Sequence, residues 1–198
     1  MSNQAARRTR SLSADKRAAI LAGAKRVFLR DGFAAGSVDA VAAEAGVGKQ
    51  TVYRHFGSKD ALVEALVVGM CEAIDWSAPP DASSDPRATL RRELNAFVLG
   101  LSTPGSVQLY RAIIGEAGRQ PEFARLFFEA GPKVIRSRVA SVLCGELPDS
   151  EASEAAAILV NLALGDAYLE LVLGITPPDP KRFERQIDAA LELVLPSR

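Results

Sequence analysis

Residues 38–62 read VDAVAAEAGVGKQTVYRHFGSKDAL and carry the pattern that decides the fold. Apolar residues at helical spacing, interrupted by the turn Gly46-Val47-Gly48, predict a helix-turn-helix. Ser37 and Ser58 are the predicted helix caps, because their hydroxyls can accept backbone N–H groups. The second helix has the size that fits a DNA major groove, and its first residues face base edges in such motifs. Those residues are Lys49, Gln50 and Thr51.

The other side chains of this second helix divide between a core face and a polar rim. Val52 and Phe56 are four residues apart and are predicted to face the core. Tyr53, His55 and Lys59 form a rim that suits phosphate groups. The spacing alone leaves two interpretations open, a DNA-binding unit or a solvated helical hairpin without a ligand.

The rest of the chain also has apolar residues at helical spacing, and no sustained alternation predicts a strand. The predicted fold class is all-α, with a three-helix helix-turn-helix domain at 1–60 and a larger helical domain at 61–198. Residues 1–60 hold 11 Lys/Arg against 5 Asp/Glu, whereas residues 61–198 hold 13 against 19. A basic front part on an acidic body favours an anionic partner for the front part, with nucleic acid as the first candidate.

The composition argues against several other classes of protein. Hydrophobic residues make up 48% of the chain and charged residues 24%, as in soluble globular proteins. One histidine makes a metal site improbable. No Gly-rich phosphate loop, nucleophile elbow or metal-spaced His/Cys cluster is present. We therefore expect no enzyme activity, no catalytic residue and no cofactor.

Cysteine use and hydropathy predict a cytoplasmic protein. Cys71 and Cys144 lie in apolar helical patterns and are interpreted as reduced thiols in the core. The stretch 155–175 is apolar enough to suggest a membrane span, but polar residues such as Asn161 and Asp166 interrupt it. We interpret it as a buried helix and expect no membrane association.

Residues 13–62 resemble the N-terminal domain of the tetracycline-repressor (TetR) family of bacterial transcriptional regulators. The matching segments are FLRDGF at 28–33, SVDAVA at 37–42, AGV at 45–47, TVYRHF at 51–56 and SKDAL at 58–62. Gly48 departs from the Ser or other capping residue that is usual in the family, and Ser37 replaces the commoner Thr but keeps the hydroxyl. The resemblance implies a homodimer that binds a palindromic double-stranded DNA operator.

The resemblance also implies a role for each matching residue. Lys49 and Gln50 would reach base edges. Contacts to the DNA backbone would come from Tyr53 and His55 and, at phosphates, from Ser37, Thr51 and Lys59. A further contact that the resemblance implies for Tyr53 is with a thymine methyl group.

An arginine-rich segment, with Arg7, Arg8 and Arg10, is expected to precede the first helix. One interpretation is a DNA arm that enters the minor groove or follows phosphates. The other interpretation is a tail without a role. The sequence does not choose between them.

Residues 110–140 more faintly resemble the AefR-like group of TetR C-terminal domains, and in this part the family holds its effector pocket and dimer interface. Seven residues are candidates to line a cavity for a small hydrophobic effector: Phe97, Leu101, Tyr110, Ile114, Phe127, Asn161 and Asp166. Ordinary core packing is an equal alternative for each apolar member. The two polar members can also satisfy each other, the backbone or a dimer contact.

The last helix has one apolar stripe, formed by Phe183, Ile187, Leu191 and Val194. Because no later chain covers this face, we expect it to form the dimer interface, together with the preceding helix. The leading hypothesis is a homodimeric repressor that a small hydrophobic effector releases from its operator. The alternative is a DNA-binding regulator without a small-molecule ligand, controlled by a protein partner, and a cavity filled by its own side chains would favour it.

Overall fold

A computed structural model describes residues 2–73 and 85–196, with side chains from Ser13 onward. These residues form ten helices and no strand, which confirms the all-α fold class. The N-terminal unit consists of α1 (Ser2–Ala35), α2 (Val38–Glu44), α3 (Lys49–Phe56) and α4 (Lys59–Glu72). The C-terminal unit consists of α5 (Pro86–Leu101), α6 (Pro104–Glu116), α7 (Pro121–Ala130), α8 (Pro132–Leu143), α9 (Asp149–Leu173) and α10 (Pro180–Val194).

Local chemistry fixes the starts of most of these helices. The Ser37 hydroxyl accepts the Ala40 N–H at 3.1 Å, and the Ser58 hydroxyl accepts the Ala61 N–H at 3.0 Å. Both predicted caps are therefore confirmed. Five helices of the C-terminal unit begin with proline, at a position where its missing N–H costs no hydrogen bond.

The apolar side chains form two clusters, and α6 and α7 connect them. The first cluster contains the stripes of α1 to α4, together with Leu109 and Ile113 of α6 and Phe123 of α7. The second contains the inner faces of α5, α8, α9 and α10 with part of α6. The boundary at 60/61 falls in the first turn of α4, whose Leu62 and Leu66 pack in the first cluster. The two-domain division at that residue stays a prediction.

Two expectations about the termini of helices need correction. The first helix begins at Ser2, so Arg7, Arg8 and Arg10 lie within α1 and do not precede it. Their side chains lie outside those that the structure describes. Cys71 is a buried thiol as predicted, but Cys144 is exposed because it follows the last turn of α8.

The long helix α9 breaks in its middle and is buried on one face only. Gly165 has φ +42° and ψ −154°, a conformation that residues with a Cβ rarely adopt. The Gln186 side chain of α10 donates to the carbonyls of Leu162 at 2.8 Å and Ala163 at 3.1 Å, which the break leaves available. The predicted burial holds for the inner face of the helix, whereas Asn161 lies on the exposed face.

Candidate nucleic-acid interface and effector cavity

The helix-turn-helix is built by α2, a tight turn and α3. Gly46 occupies the turn with φ +64°, which favours glycine. Val41 and Val52 are buried between the two helices, and Phe56 is half-buried against the same cluster. This packing confirms the predicted core face of α3 and leaves the opposite face of that helix to solvent.

The N-terminal end of α3 presents its polar side chains outward. Lys49 and Gln50 are exposed, and Thr51 is half-buried. Gly48 provides no side-chain cap, so the first N–H groups of the helix are open to a ligand. The Lys49 Nζ contacts the Asp39 carboxylate of α2 at 2.9 Å, and this hydrogen bond raises the pKa of Lys49. An exposed ion pair of this kind is weak and can exchange for a phosphate or a base.

The predicted phosphate-binding rim extends from the second half of α3 to the first residue of α4. Tyr53 is 37% exposed and His55 is half-buried. The Lys59 Nζ donates to the Ala34 carbonyl at 3.0 Å, which leaves two of its three protons for other acceptors. The Ser37 hydroxyl accepts a bond as a helix cap, and its proton is free to donate. Of the seven predicted DNA-contacting side chains, five belong to α3, Ser37 caps α2, and Lys59 is the first residue of α4.

One basic residue beside this rim was missed by the sequence reasoning. The Arg17 guanidinium of α1 lies 5.3 Å from the centre of the Phe56 ring, a cation–π contact. Its side chain is exposed. An arginine on a helix is normally solvated, so the sequence gave no signal for this one.

The C-terminal unit encloses a cavity of about 320 Å³, in the size range of small-molecule sites. Six of the seven predicted effector residues line it: Phe97, Leu101, Tyr110, Ile114, Phe127 and Asn161. Asp166 is not among the residues that line it, and its side chain is exposed. Its assignment to the cavity is therefore wrong. The role of the other six as ligand contacts stays a prediction.

The cavity wall is mainly aromatic. Tyr110 meets both Phe127 and Tyr168 edge to face, with ring centres 5.9 Å and 5.5 Å apart. Such arrangements are favourable for aromatic pairs, and they give the cavity a mainly apolar wall. A second, more open groove of about 590 Å³ adjoins the cavity and shares Tyr110, Asn161 and Tyr168 with it.

Two lining residues that were not predicted, Tyr168 and Arg136, change the chemistry of the cavity. Tyr168 is 5% exposed and its hydroxyl has no hydrogen-bond partner. The Arg136 Nε is buried and unpaired as well, while its guanidinium lies 5.3 Å from the Phe128 ring centre. A Tyr within an apolar helix was a signal that sequence reasoning could have used. An arginine on a helix is normally solvated and gave none.

The predicted dimer stripe needs a correction. Phe183, Ile187 and Leu191 are at most 2% exposed, and Val194 is half-buried against the same core. The stripe packs against α5 and α9 of its own chain, so it is not a free surface. The apolar side chains that remain exposed on α9 are Ile158, Leu162, Leu169 and Leu173.

Two further tests concern metals and membranes. In residues 13–73 and 85–196, no group of three or more His, Cys, Asp or Glu side chains could hold a metal ion. Helix α9 is long and apolar enough to cross a membrane by length and composition alone. A core helix passes the same test, and the inner face of α9 is buried in this chain.

The arrangement as a whole defines a helix-turn-helix DNA-binding protein with a cavity-bearing helical unit.

Comparison with known proteins identifies the family. Residues 20–66 match the profile "Bacterial regulatory proteins, tetR family", and residues 88–196 match "AefR-like transcriptional repressor, C-terminal domain". The HTH-type transcriptional regulator BetI from Paraburkholderia xenovorans is 31% identical over 84% of this chain and 87% of its own. The chain therefore belongs to the TetR family of bacterial regulatory proteins, whose members are DNA-binding transcriptional regulators and not enzymes.

Solved structures agree with this assignment. The Flavonoid-responsive Regulator FrrA is 33% identical, with a TM-score of 0.76 over 91% of this chain and 95% of FrrA. A Mesorhizobium loti protein assigned to the TetR family is 25% identical, with a TM-score of 0.76 over 92% of this chain and 96% of its own. The similarity extends across both units of the chain.

Proposed function

We propose that this protein is a cytoplasmic, homodimeric repressor that a small, largely hydrophobic effector releases from a near-palindromic DNA operator. The observation that carries the proposal is the aromatic cavity in the C-terminal unit. A cavity of this kind favours a ligand-responsive regulator over one that lacks a small-molecule ligand. FrrA, which is similar over both units, is described as flavonoid-responsive, so a flat aromatic compound is a reasonable first effector to test.

Helix α4 offers the physical connection between cavity and DNA. Lys59 in its first turn is a proposed phosphate contact, and Cys71 in its last turn lines the cavity. Fourteen residues of helix span about 21 Å as one rigid rod. Ile113 of α6 adds a second connection, because it lines the cavity and packs in the first apolar cluster. A ligand that moves either helix also moves the N-terminal unit.

Release requires a difference in affinity. An effector that bound the DNA-competent and released forms equally would shift no population, however tightly it bound. The proposed effector therefore binds the released form more tightly. By reciprocity, operator DNA weakens effector binding by the same factor by which the effector weakens DNA binding.

The proposed DNA contacts follow the geometry of α3. Lys49 and Gln50 project from its exposed end toward base edges, and Lys59 and Ser37 flank it toward phosphates. A two-fold dimer carries two such ends, so the operator has two half-sites one or more turns apart, at about 34–36 Å per turn. Affinity falls steeply with salt, because the bound cations displace condensed counterions.

The proposed dimer surface is the exposed apolar face of α9, in place of the buried α10 stripe. Ile158, Leu162, Leu169 and Leu173 are between 38% and 63% exposed and recur on one side of the helix. Apolar patches of this size on a soluble chain mark contact surfaces. The substitution Leu162→Glu would introduce a charge there and is expected to give monomers in sedimentation. Leu99→Glu, at an exposed leucine of α5, is the matched control that keeps the dimer.

The test of the whole proposal begins with selection of the operator from random DNA. Fluorescence anisotropy then measures operator binding while naringenin, a flavonoid, is added. We expect release for the native protein and for Leu193→Trp, an exposed control outside the cavity. Leu164→Trp fills the cavity and should retain operator binding without release. Release that Leu164→Trp does not affect, or a selected site without dyad symmetry, would contradict the proposal.

A further inference from the structure

Two residues that line the effector cavity each carry a polar atom that the protein itself leaves unpaired. The Tyr168 hydroxyl and the Arg136 Nε are both buried without a hydrogen-bond partner. The Arg136 guanidinium makes one hydrogen bond in the cavity wall, and that bond is long. Its Nη2 donates to the Asn161 Oδ1 at 3.4 Å. All three residues line the same cavity. An unpaired polar atom is costly when buried, so a cluster of them at a cavity wall indicates a missing partner.

The charge of Arg136 also lacks a counterion. No carboxylate of the residues described lies within 4.0 Å of its guanidinium, although other arginines of the C-terminal unit have such partners. Its Cζ lies 5.3 Å from the Phe128 ring centre, a cation–π contact that leaves guanidinium N–H donors for a ligand. A guanidinium that is held in this way suits a planar, charged oxygen group.

Tyr168 is a hydrogen-bond donor at neutral pH. Burial, with a smaller contribution from the neighbouring Tyr110, raises the pKa of the Tyr168 phenol above its ordinary value. The phenol therefore keeps its proton and can donate it to an acceptor in the cavity. Together, Tyr168 and Arg136 offer O–H and N–H donors, while the aromatic rings around them offer an apolar surface.

We infer that the effector is a flat aromatic compound with an anionic oxygen group, of the kind found in an aromatic carboxylate. The anionic group pairs with the Arg136 guanidinium and accepts the Tyr168 hydroxyl, and the aromatic body lies among Tyr110, Phe127 and Phe128. This inference rests on the proposed effector role of the cavity and specifies its ligand class. A neutral arene would fill the cavity but leave the arginine unpaired.

The experiment measures ligand binding to the full-length protein without DNA, by calorimetry, so that it is independent of operator release. The probes are 2-naphthoate and its neutral isostere 2-naphthamide. We expect naphthoate to bind more tightly to the native protein. Arg136→Gln should weaken naphthoate by roughly tenfold to a hundredfold, the range of a charge-assisted hydrogen bond, and change naphthamide by less than about twofold.

Two further variants keep the test specific. Lys133→Gln removes a positive charge one turn away on α8, outside the cavity, and should leave both affinities unchanged. Tyr168→Phe removes one donor and should weaken naphthoate by about tenfold or less. Circular dichroism establishes that each variant is folded, and a folded Arg136→Lys that restores part of the naphthoate affinity would support pairing by charge.

Each outcome decides between claims. Equal or tighter binding of naphthamide overturns the anionic class but leaves an effector-controlled repressor intact. Loss of naphthoate affinity in Lys133→Gln as well as Arg136→Gln attributes the effect to general charge and also overturns it. If neither probe binds, the aromatic carboxylate class is overturned, while release by naringenin and DNA binding remain separately measurable.

Discussion

The two units of this chain treat buried polar groups in different ways. Among the side chains described in the N-terminal unit, every buried nitrogen or oxygen atom has a hydrogen-bond partner. In the C-terminal unit four such atoms lack one: Glu93 Oε1, Glu116 Oε2, Arg136 Nε and Tyr168 OH. The N-terminal unit instead keeps its charges outside, in exposed pairs such as Lys49 with Asp39.

This difference matches two different tasks. A DNA-reading unit must present the same side chains in the same geometry at every encounter, so a closed and satisfied core serves it. A ligand-binding unit must keep donors available for a molecule that is absent part of the time, at a cost of about 1–3 kcal/mol for each unpaired group. Two of the four unpaired atoms lie at the cavity, on Arg136 and Tyr168. Glu93 is different, because its other oxygen pairs with Arg138 at 2.7 Å.

The largest expected effect is on the core of the C-terminal unit. Leu191 is 1% exposed, and Leu193, two residues further along α10, is 74% exposed. Leu191→Glu should lower the free energy of unfolding by at least about 4 kcal/mol, because it removes apolar packing and buries a charge. Leu193→Glu should change it by about 0.5 kcal/mol or less. Urea denaturation at one fixed protein concentration measures both.

These two variants distinguish a residue of the core from a residue of the dimer interface. If Leu191→Glu instead gave a stable, folded monomer, the α10 stripe would be an intersubunit surface after all. The proposed dimer surface on α9 would then be wrong. The outcome does not depend on any property of the DNA-reading unit.

The sequence predicted the features that depend on local chemistry. It failed where the prediction required knowing which surface a helix face packs against. Helix caps at Ser37 and Ser58 and the inward side of Val52 follow from neighbouring residues, and all three are confirmed. The stripe on α10 shows that one face is buried but not against which chain. Arg136 was missed because the sequence does not show its surroundings. Only the fold brings it beside Phe128 and Asn161, where it has no carboxylate partner among the described residues.

A second prediction compares two glycines, one in each unit. Gly165 has a positive φ, and an added Cβ would collide with the Gln186 amide that supports the break in α9. Gly165→Ala should therefore destabilise the protein by up to about 3 kcal/mol. Gly69 lies in α4 with open space around it, so Gly69→Ala should stabilise by about 0.5–1 kcal/mol through helix propensity. Thermal unfolding with opposite shifts is expected, and shifts of the same sign would contradict the strained break.

A third prediction concerns DNA recognition and compares two lysines of the N-terminal unit with one lysine of the C-terminal unit. Lys49→Ala should cost about 2 kcal/mol on the selected operator and relax base preference, because it removes a base contact. Lys59→Ala should weaken operator and random DNA about equally and reduce the salt slope by about one. Lys181→Ala, on α10, is the control that leaves both unchanged. Anisotropy titrations at several salt concentrations distinguish the three, and a loss of base preference in Lys59→Ala alone would reverse the assumed orientation of α3.

The smallest expected effect is the most direct test of the difference between the units. Since the Tyr168 hydroxyl is buried and unpaired, Tyr168→Phe should leave the free energy of unfolding of the ligand-free protein unchanged or raise it by about 1 kcal/mol. Ser58→Ala removes a hydroxyl that the N-terminal unit uses as a cap, and should cost about 1 kcal/mol. Chemical denaturation without added ligand measures both variants at equal protein concentration, because dimer dissociation also contributes to apparent stability. A loss above about 1 kcal/mol in Tyr168→Phe would mean that the hydroxyl already has a partner in the free protein. The cavity would then offer no idle donor, and the contrast between the two units would disappear at the residue where it matters most for ligand binding.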